Sequence, residues 1–126
     1  MAGEKILIVD DEPDLIYLLS FDVKRRGYQV ITASNGEEGL AKALAEKPDL
    51  ILFDIKMPKM DGFTFVRHLR KNGETRSIPL VALTSYEPMR EMFEIEGVSE
   101  YFVKSAAVDA LFEAIARLLS DKQRNS

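Results

Sequence analysis

The sequence predicts an α/β fold built on one doubly wound, five-stranded parallel sheet. Short apolar runs that suit buried strands alternate with longer stretches in which apolar residues recur at helical spacing. Strands that alternate with helices form parallel sheets, and right-handed crossovers place the helices on both faces. The 126 residues suit one domain, with a core over about residues 4–120 and a polar tail at 121–126.

Five apolar runs have the composition of strands buried in such a sheet. The first, Ile6 to Val9, is continuously apolar, as expected when both faces of a strand are covered. The strand candidates are 6–9, 28–32, 50–53, 80–83 and 101–103. Each is short enough to be a strand and is followed by polar or turn residues.

Five helices are predicted between and after these strands. The first begins at Pro13 and stops at Gly27, and its apolar residues Leu15, Leu18, Leu19 and Val23 recur at helical spacing. Ser34 or Asn35 is expected to cap the second helix. The later helices are expected over 37–46 with Leu40 and Leu44 inward, from 63 to about 72, over 87–96, and around 111–119.

Composition excludes several classes of function. The chain has no cysteine, so disulfides, thiolate zinc sites and thiol nucleophiles are all excluded. Its formal net charge of −4 makes direct binding to nucleic acid a poor hypothesis. No apolar stretch approaches the roughly 20 residues that span a bilayer, and the first apolar run is too short for a signal peptide. We therefore expect a cytoplasmic protein without membrane insertion.

Polar residues directly follow four of the predicted strands. Asp10 and Asp11 follow the first strand, Asp54 the third, Thr84 the fourth and Lys104 the fifth. Ligands in such folds bind beyond the carboxyl ends of the strands, where these side chains would converge. A purely structural role does not explain ionisable groups at this edge on several strands.

Three carboxylates at one edge need compensation, because each pair at 4 Å repels by roughly 1 to 4 kcal/mol. A hard divalent cation and the Lys104 ammonium group can supply it. A site with few protein ligands favours Mg²⁺ over Ca²⁺, because Mg²⁺ keeps several bound waters. A cation, an ammonium group and a hydroxyl around a carboxylate also suit phosphoryl transfer. Asp54 would then be the nucleophile that holds an acyl phosphate, with Thr84 donating a hydrogen bond.

Four segments together resemble one known family. Ile6 to Pro13 (ILIVDDEP), Leu52 to Gly62 (LFDIKMPKMDG), Leu83 to Ser85 (LTS) and Tyr101 to Lys104 (YFVK) resemble the response regulator receiver domain of two-component signalling, of the single-domain, CheY-like kind. The resemblance implies a flavodoxin-like (βα)5 fold with the strand order 2-1-3-4-5, which is the order taken from the family.

The resemblance implies a phosphoacceptor site with Mg²⁺ as its cofactor. Asp54 resembles the phosphoacceptor and a metal ligand, and Asp11 resembles the direct metal ligand. Asp10 matches the partner that acts through water, and the backbone carbonyl of Lys56 matches a third ligand. The donor implied is a histidine kinase or a histidine phosphotransfer protein. Such a module is not otherwise an enzyme, since it catalyses only its own phosphorylation and dephosphorylation.

The resemblance also implies a conformational switch. Thr84 matches the switch hydroxyl, Lys104 the lysine that contacts the phosphate, and Tyr101 the aromatic residue that turns inward. Tyr86 and the Lys56 side chain flank the expected phosphate and would tune its lifetime. A downstream protein partner would bind the surface made by the fourth helix, the fifth strand and the fifth helix.

Some features keep alternatives open. Ser105 stands where the family usually has proline in a cis bond after the lysine, which leaves a binding-only pseudo-receiver as one alternative. A haloacid dehalogenase-like phosphatase is discounted, because Lys56 stands where its second aspartate belongs. His68 is interpreted as a surface residue. The sequence does not identify the kinase or the output partner, nor whether the chain acts alone.

Overall fold

The computed structural model contains one parallel sheet of five strands. The strands are β1 (Lys5–Val9), β2 (Gln29–Ala33), β3 (Leu50–Asp54), β4 (Leu80–Thr84) and β5 (Glu100–Val103). Their order across the sheet is β2-β1-β3-β4-β5. The structure describes residues 3–55, 59–84, 98–103 and 108–124. The predicted fold class and strand order are confirmed.

Four helices lie in the described part of the chain. They are α1 (Pro13–Arg25), α2 (Gly36–Glu46), α3 (Gly62–Lys71) and α4 (Val108–Arg124). The helix predicted over 87–96 lies outside the described residues. The last helix reaches Arg124, so most of the expected polar tail is helical, because lysine, glutamine and arginine are good helix formers. No helix among the described residues combines the length and hydropathy needed to cross a bilayer.

Each face of the sheet carries its own hydrophobic core. One core joins Leu7, Val9, Ile51 and Phe53 to α2 and α3, and the other joins Ile6, Ile8, Leu50 and Leu52 to α1 and α4. Alternate residues of the strands therefore point to opposite cores, as the two-residue period of a strand requires. This explains why β1 and β3 are continuously apolar rather than alternating.

The start of α2 is held by two side chains. The Asn35 side chain accepts a hydrogen bond of 2.9 Å from the Glu38 backbone N–H, so Asn35, and not Ser34, is the cap. Ser34 instead donates from its backbone N–H and its hydroxyl to Glu38 Oε1, at 2.6 and 2.9 Å. These hydrogen bonds lower the pKa of Glu38, the backbone one most. The two residues together fix the helix N-terminus.

The apolar residues of α1 do not all face the sheet. Leu19 and Val23 are buried, but Leu18 is 60% exposed, beside Tyr17 at 73% and Phe21 at 60%. Residues 18 and 21 lie on the side of the helix opposite to 19 and 23, because each residue advances by about 100°. Helical spacing alone therefore does not identify the buried residues of α1.

The C-terminal end of α1 is tied to α4 by one arginine. The Arg26 guanidinium group lies 4.0 Å from the centroid of the Phe112 ring and 3.6 Å from the Asp109 carboxylate. A cation over an aromatic face adds to the apolar packing between these helices. The contact joins the two helices that cover the same face of the sheet.

Candidate functional site

Asp10 lies directly beyond the end of β1 and is completely buried. Its backbone N–H donates to the Ala33 carbonyl at 3.1 Å, which extends the pairing of β1 with β2 by one step. Its carboxylate accepts a hydrogen bond of 2.8 Å from the Glu12 backbone N–H. The carboxylate is thus aimed at the start of α1, where Pro13 occupies a position that needs no N–H donor.

Asp54 is the last residue of β3 and is only 6% exposed. It pairs in register with Leu83 of β4, and the next residue, Ile55, donates from its N–H to the Leu83 carbonyl at 3.2 Å. On the other side of β3, Phe53 pairs with Val9, so Asp10 and Asp54 both lie at the carboxyl ends of neighbouring strands. The predicted convergence of the two aspartates is therefore present.

Four carboxylates come together at this edge of the sheet. One oxygen from each of Asp10, Asp11, Glu12 and Asp54 lies within 4.8 Å of the others. Asp10 and Asp54 form the buried side of the cluster, and Asp11 and Glu12 form its exposed side. Glu12 was not predicted at this site, although its position directly after the two aspartates was the available signal.

The geometry of this acidic cluster fits a small hard cation. Mg²⁺ binds oxygen ligands at about 2.0–2.1 Å, so ligands on opposite sides of the ion lie about 4.2 Å apart. The 4.8 Å spread of the four oxygens needs only a small contraction to reach that size. Ionised carboxylates at about 4 Å repel one another, and a divalent cation between them compensates this repulsion because it attracts each carboxylate. The residues present are therefore suitable ligands for Mg²⁺.

The remaining predicted site residues are described only in part. Thr84 ends β4 and pairs in register with Val103, and Tyr101 lies in β5 paired with Ala82. The carboxyl ends of β3, β4 and β5 are thus adjacent, as the hypothesis requires. Lys56, Tyr86, Lys104 and Ser105 lie outside the described residues. His68 is exposed on α3, in agreement with its interpretation as a surface residue.

A comparison with protein families decides the class of this domain. The model of the response regulator receiver domain matches residues 6–116, which include all but the first residue of β1, the acidic cluster and β5. The chain belongs to the response regulator receiver family. It is therefore a receiver domain of two-component systems, and receiver domains are signalling modules. The phosphatase alternative is not favoured.

Known relatives of this receiver include single domains and longer regulators. Sporulation initiation phosphotransferase F of Bacillus subtilis is 34% identical over 122 residues, covering 94% of this chain and 96% of that protein. The alkaline phosphatase synthesis transcriptional regulatory protein PhoP of the same organism is 41% identical over 91% of this chain. The receiver spans about half of PhoP, since the match covers 49% of its length.

A solved structure agrees with the fold of this receiver. The response regulator protein TrrA of Thermotoga maritima, in complex with Mg²⁺-BeF, superposes with a TM-score of 0.84. The two chains are 36% identical, and the match covers 91% of this chain and 98% of that one. That relative therefore binds magnesium together with a beryllium fluoride.

Proposed function

We propose that this receiver accepts a phosphoryl group on Asp54 with the help of Mg²⁺. The metal ligands in this proposal are Asp11, Asp54 and the backbone carbonyl of Lys56, with Asp10 acting through a bound water. The observation that supports the proposal most strongly is the acidic cluster, in which Asp54 contributes one of four carboxylate oxygens within 4.8 Å. Such a cluster is costly for the fold unless a cation occupies it.

The proposed chemistry is transfer of one phosphoryl group to a carboxylate. An oxygen of ionised Asp54 attacks phosphorus, while the bond from phosphorus to the donor nitrogen of a phosphohistidine breaks. The nitrogen keeps the electron pair of that bond and takes up a proton from solvent. When bound, Mg²⁺ neutralises charge on the phosphoryl oxygens. We assign the Lys104 ammonium group and the Thr84 hydroxyl to the same oxygens.

The proposed output is a change of surface. An aspartyl phosphate brings several oxygens and extra negative charge to the carboxyl ends of the strands. Thr84 would move toward the phosphate, and Tyr101 would move in turn. Lys56 and Tyr86 are proposed to tune how long the phosphate lasts. The surface that responds would include β5 and α4 together with the helix predicted over 87–96, and it would bind a downstream protein rather than nucleic acid.

The proposed phosphodonor is a histidine kinase or a histidine phosphotransfer protein. One relative of similar length carries the name phosphotransferase, which supports a place in a chain of phosphoryl transfers. The absence of cysteine suits the reducing cytoplasm, where we propose that the donor is met. In this proposal the receiver catalyses no reaction beyond its own phosphorylation and dephosphorylation.

The proposal predicts that a small phosphodonor modifies the receiver only in the presence of Mg²⁺. Incubation with acetyl phosphate and Mg²⁺ should add one phosphoryl group to the intact protein, measured by mass spectrometry. The metal is required because the carboxylates otherwise repel the incoming phosphate. A chelator should prevent the gain of mass. Equal modification with and without Mg²⁺ would contradict the proposal, and no modification at all would favour the pseudo-receiver.

The exposed side of α1 suits the landing site of the phosphodonor. Asp14, Leu18, Phe21 and Arg25 form one stripe along the helix, with Tyr17 beside it, and all five are exposed. The stripe is acidic at one end, apolar in the middle and basic at the other end. Its acidic end lies one turn or less from Glu12 of the acidic cluster. A helix that brings a phosphohistidine to Asp54 can therefore cover this stripe at the same time.

A charge placed in the middle of the stripe should slow phosphorylation by a protein donor and leave phosphorylation by a small phosphodonor unchanged. Leu18→Glu should slow phosphorylation by the most active member of a panel of phosphorylated histidine kinases by about tenfold or more, because it places a charge where the proposed complex would bury an apolar side chain. Phosphorylation by acetyl phosphate should stay unchanged. Val108→Glu, at an exposed apolar residue of α4, is the matched control. If both variants behave like the unsubstituted protein toward the kinase, α1 is not the landing site.

A further inference from the structure

Two asparagines of this chain, Asn35 and Asn72, are each followed by glycine. An Asn-Gly step is open to self-modification, because glycine has no Cβ to hinder attack of its backbone nitrogen on the asparagine side-chain amide. By sequence alone the two steps are equally reactive. The structure places them in different surroundings, since Asn35 caps the start of α2 and Asn72 follows the last residue of α3.

The Asn72 side chain is folded back over the peptide bond that joins it to Gly73. Its Oδ1 accepts a hydrogen bond of 2.9 Å from the Glu74 N–H, two residues on, which is the pattern of an Asx turn. This turn holds the side-chain amide beside the Gly73 peptide group. The Glu74 N–H also draws electron density from the amide carbon, and it would stabilise the oxyanion that forms when this carbon is attacked.

Gly73 has the space that the reaction needs. The peptide group must turn toward the side chain before the ring closes. Gly73 is exposed, and a Cβ built on it would meet no atom within 4 Å. The peptide can therefore turn at the cost of hydrogen bonds within the short connection between α3 and β4, and without displacing a helix.

The Asn35-Gly36 step is enclosed instead. A Cβ on Gly36 would lie 2.7 Å from the Met60 carbonyl oxygen, so the Gly36 backbone is packed against another segment and is buried. The Asn35 side chain is bound to the Glu38 N–H, and the Asn35 carbonyl accepts a helical hydrogen bond from the Gly39 N–H. Ring closure here would require the start of α2 to open, with loss of its cap and of buried contacts.

We propose that Asn72 is a site of spontaneous deamidation in the folded receiver, and that folding protects Asn35 from the same reaction. The inference does not rest on the proposed function. Asn72 precedes β4, whereas the acidic cluster lies beyond the carboxyl ends of β1 and β3. Because the strands are parallel, the two places are at opposite ends of the sheet.

The reaction has two stages, and its only co-reactant is water. In the first stage the Gly73 nitrogen bonds to Cγ of Asn72 and loses its proton, while the side-chain nitrogen leaves as ammonia. In the second stage water opens the resulting cyclic imide at one of its two carbonyl carbons. Opening at Cγ leaves aspartate. Opening at the main-chain carbonyl leaves isoaspartate, in which the chain runs through the former side chain.

The isoaspartate product should weaken the connection between α3 and β4. The Asn72 carbonyl accepts hydrogen bonds from the Thr75 and Arg76 N–H groups, at 3.2 and 2.9 Å. Arg70 Nη1 donates to three carbonyl oxygens of the same connection. A main chain lengthened at residue 72 displaces the first carbonyl, so the midpoint of urea unfolding should fall. Aspartate keeps the backbone and the bond from the Glu74 N–H, so it should change the midpoint little.

The test is ageing of the intact receiver in mildly alkaline buffer with chelator, followed by peptide mapping in acid. In the folded protein, the peptide that contains Asn72 should show the mass of the deamidated form. About tenfold less product, or less still, should form at Asn35, because its reaction needs the start of α2 to open. In concentrated urea both steps should react to a similar extent. An isoaspartyl methyltransferase assay should detect isoaspartate in the aged folded sample.

Two variants identify the reacting step. Gly73→Ala adds a methyl group that hinders the attacking nitrogen but meets no other atom, so it should suppress the reaction and leave the unfolding midpoint unchanged. Asn35→Ser keeps a capping side chain on α2 and should leave the amount of product in the folded protein unchanged. Equal product at the two steps of the folded receiver would overturn the inference. So would an unmodified Asn72 in folded protein under conditions in which the urea sample reacts.

Discussion

Replacing Asp11 by asparagine is expected to change stability in opposite directions without and with Mg²⁺. In chelator, the variant should be more stable by up to about 1 kcal/mol, because one exposed charge leaves a cluster of four carboxylates. In saturating Mg²⁺ it should lose a ligand and bind about 100-fold more weakly. That loss removes about 2.7 kcal/mol of the stabilisation that the metal gives to the folded state.

Urea unfolding of the same samples in chelator and in Mg²⁺ measures both effects. Asp14→Asn is the matched control, since Asp14 is an exposed acid in the first turn of α1 and does not belong to the acidic cluster. Its response to Mg²⁺ should equal that of the unsubstituted protein. The prediction fails if Asp11→Asn is stabilised by Mg²⁺ as strongly as this control.

Replacing Phe65 by alanine should produce the largest loss of stability among the substitutions considered. Phe65 is completely buried, and its ring centroid lies 5.6 Å from that of Phe53, next to the strand end that carries Asp54. The substitution removes this contact and leaves a cavity between α3 and the sheet, so the free energy of unfolding should fall by about 3–5 kcal/mol. The measurement is urea unfolding in chelator.

Phe21→Ala provides the comparison for this large effect. Phe21 is 60% exposed on α1, so the same change in side chain removes little buried surface and should cost less than about 0.5 kcal/mol. Phe21 also belongs to the stripe that we assign to the phosphodonor, so Phe21→Ala should slow phosphoryl transfer from a kinase. Similar losses of stability in the two variants would contradict the described packing of α1 and α3.

The sheet and the position of Asp54 follow directly from the sequence. β1 and β3 are continuously apolar because each strand contributes to both cores, and that pattern is visible without coordinates. A polar residue that ends such a strand must lie at the edge of a parallel sheet, so Asp10 and Asp54 could be placed together in advance. The helix caps were less certain, because Ser34 and Asn35 are both good caps and only the backbone conformation selects Asn35.

Other features depend on packing that no local pattern encodes. α1 has apolar residues around most of its circumference, so the burial of Leu19 and the exposure of Leu18 could not be told from spacing. The buried side of α2 includes Gly36 and Gly39, which a search for large apolar residues overlooks. Small residues mark places where backbones approach closely, and the partner in such a contact is visible only in three dimensions.

The most direct test of the account is to ask which carboxylate carries the phosphoryl group. After exposure to acetyl phosphate and Mg²⁺, the intact mass of Asp54→Asn should be unchanged, whereas Asp61→Asn should gain one phosphoryl group as the unsubstituted receiver does. Asp61 is the matched control because it is the next aspartate after Asp54 and caps α3. Its side chain accepts a hydrogen bond of 2.8 Å from the Thr64 N–H. Phosphorylation of folded Asp54→Asn to the normal extent would show that the buried aspartate at the end of β3 is not the acceptor.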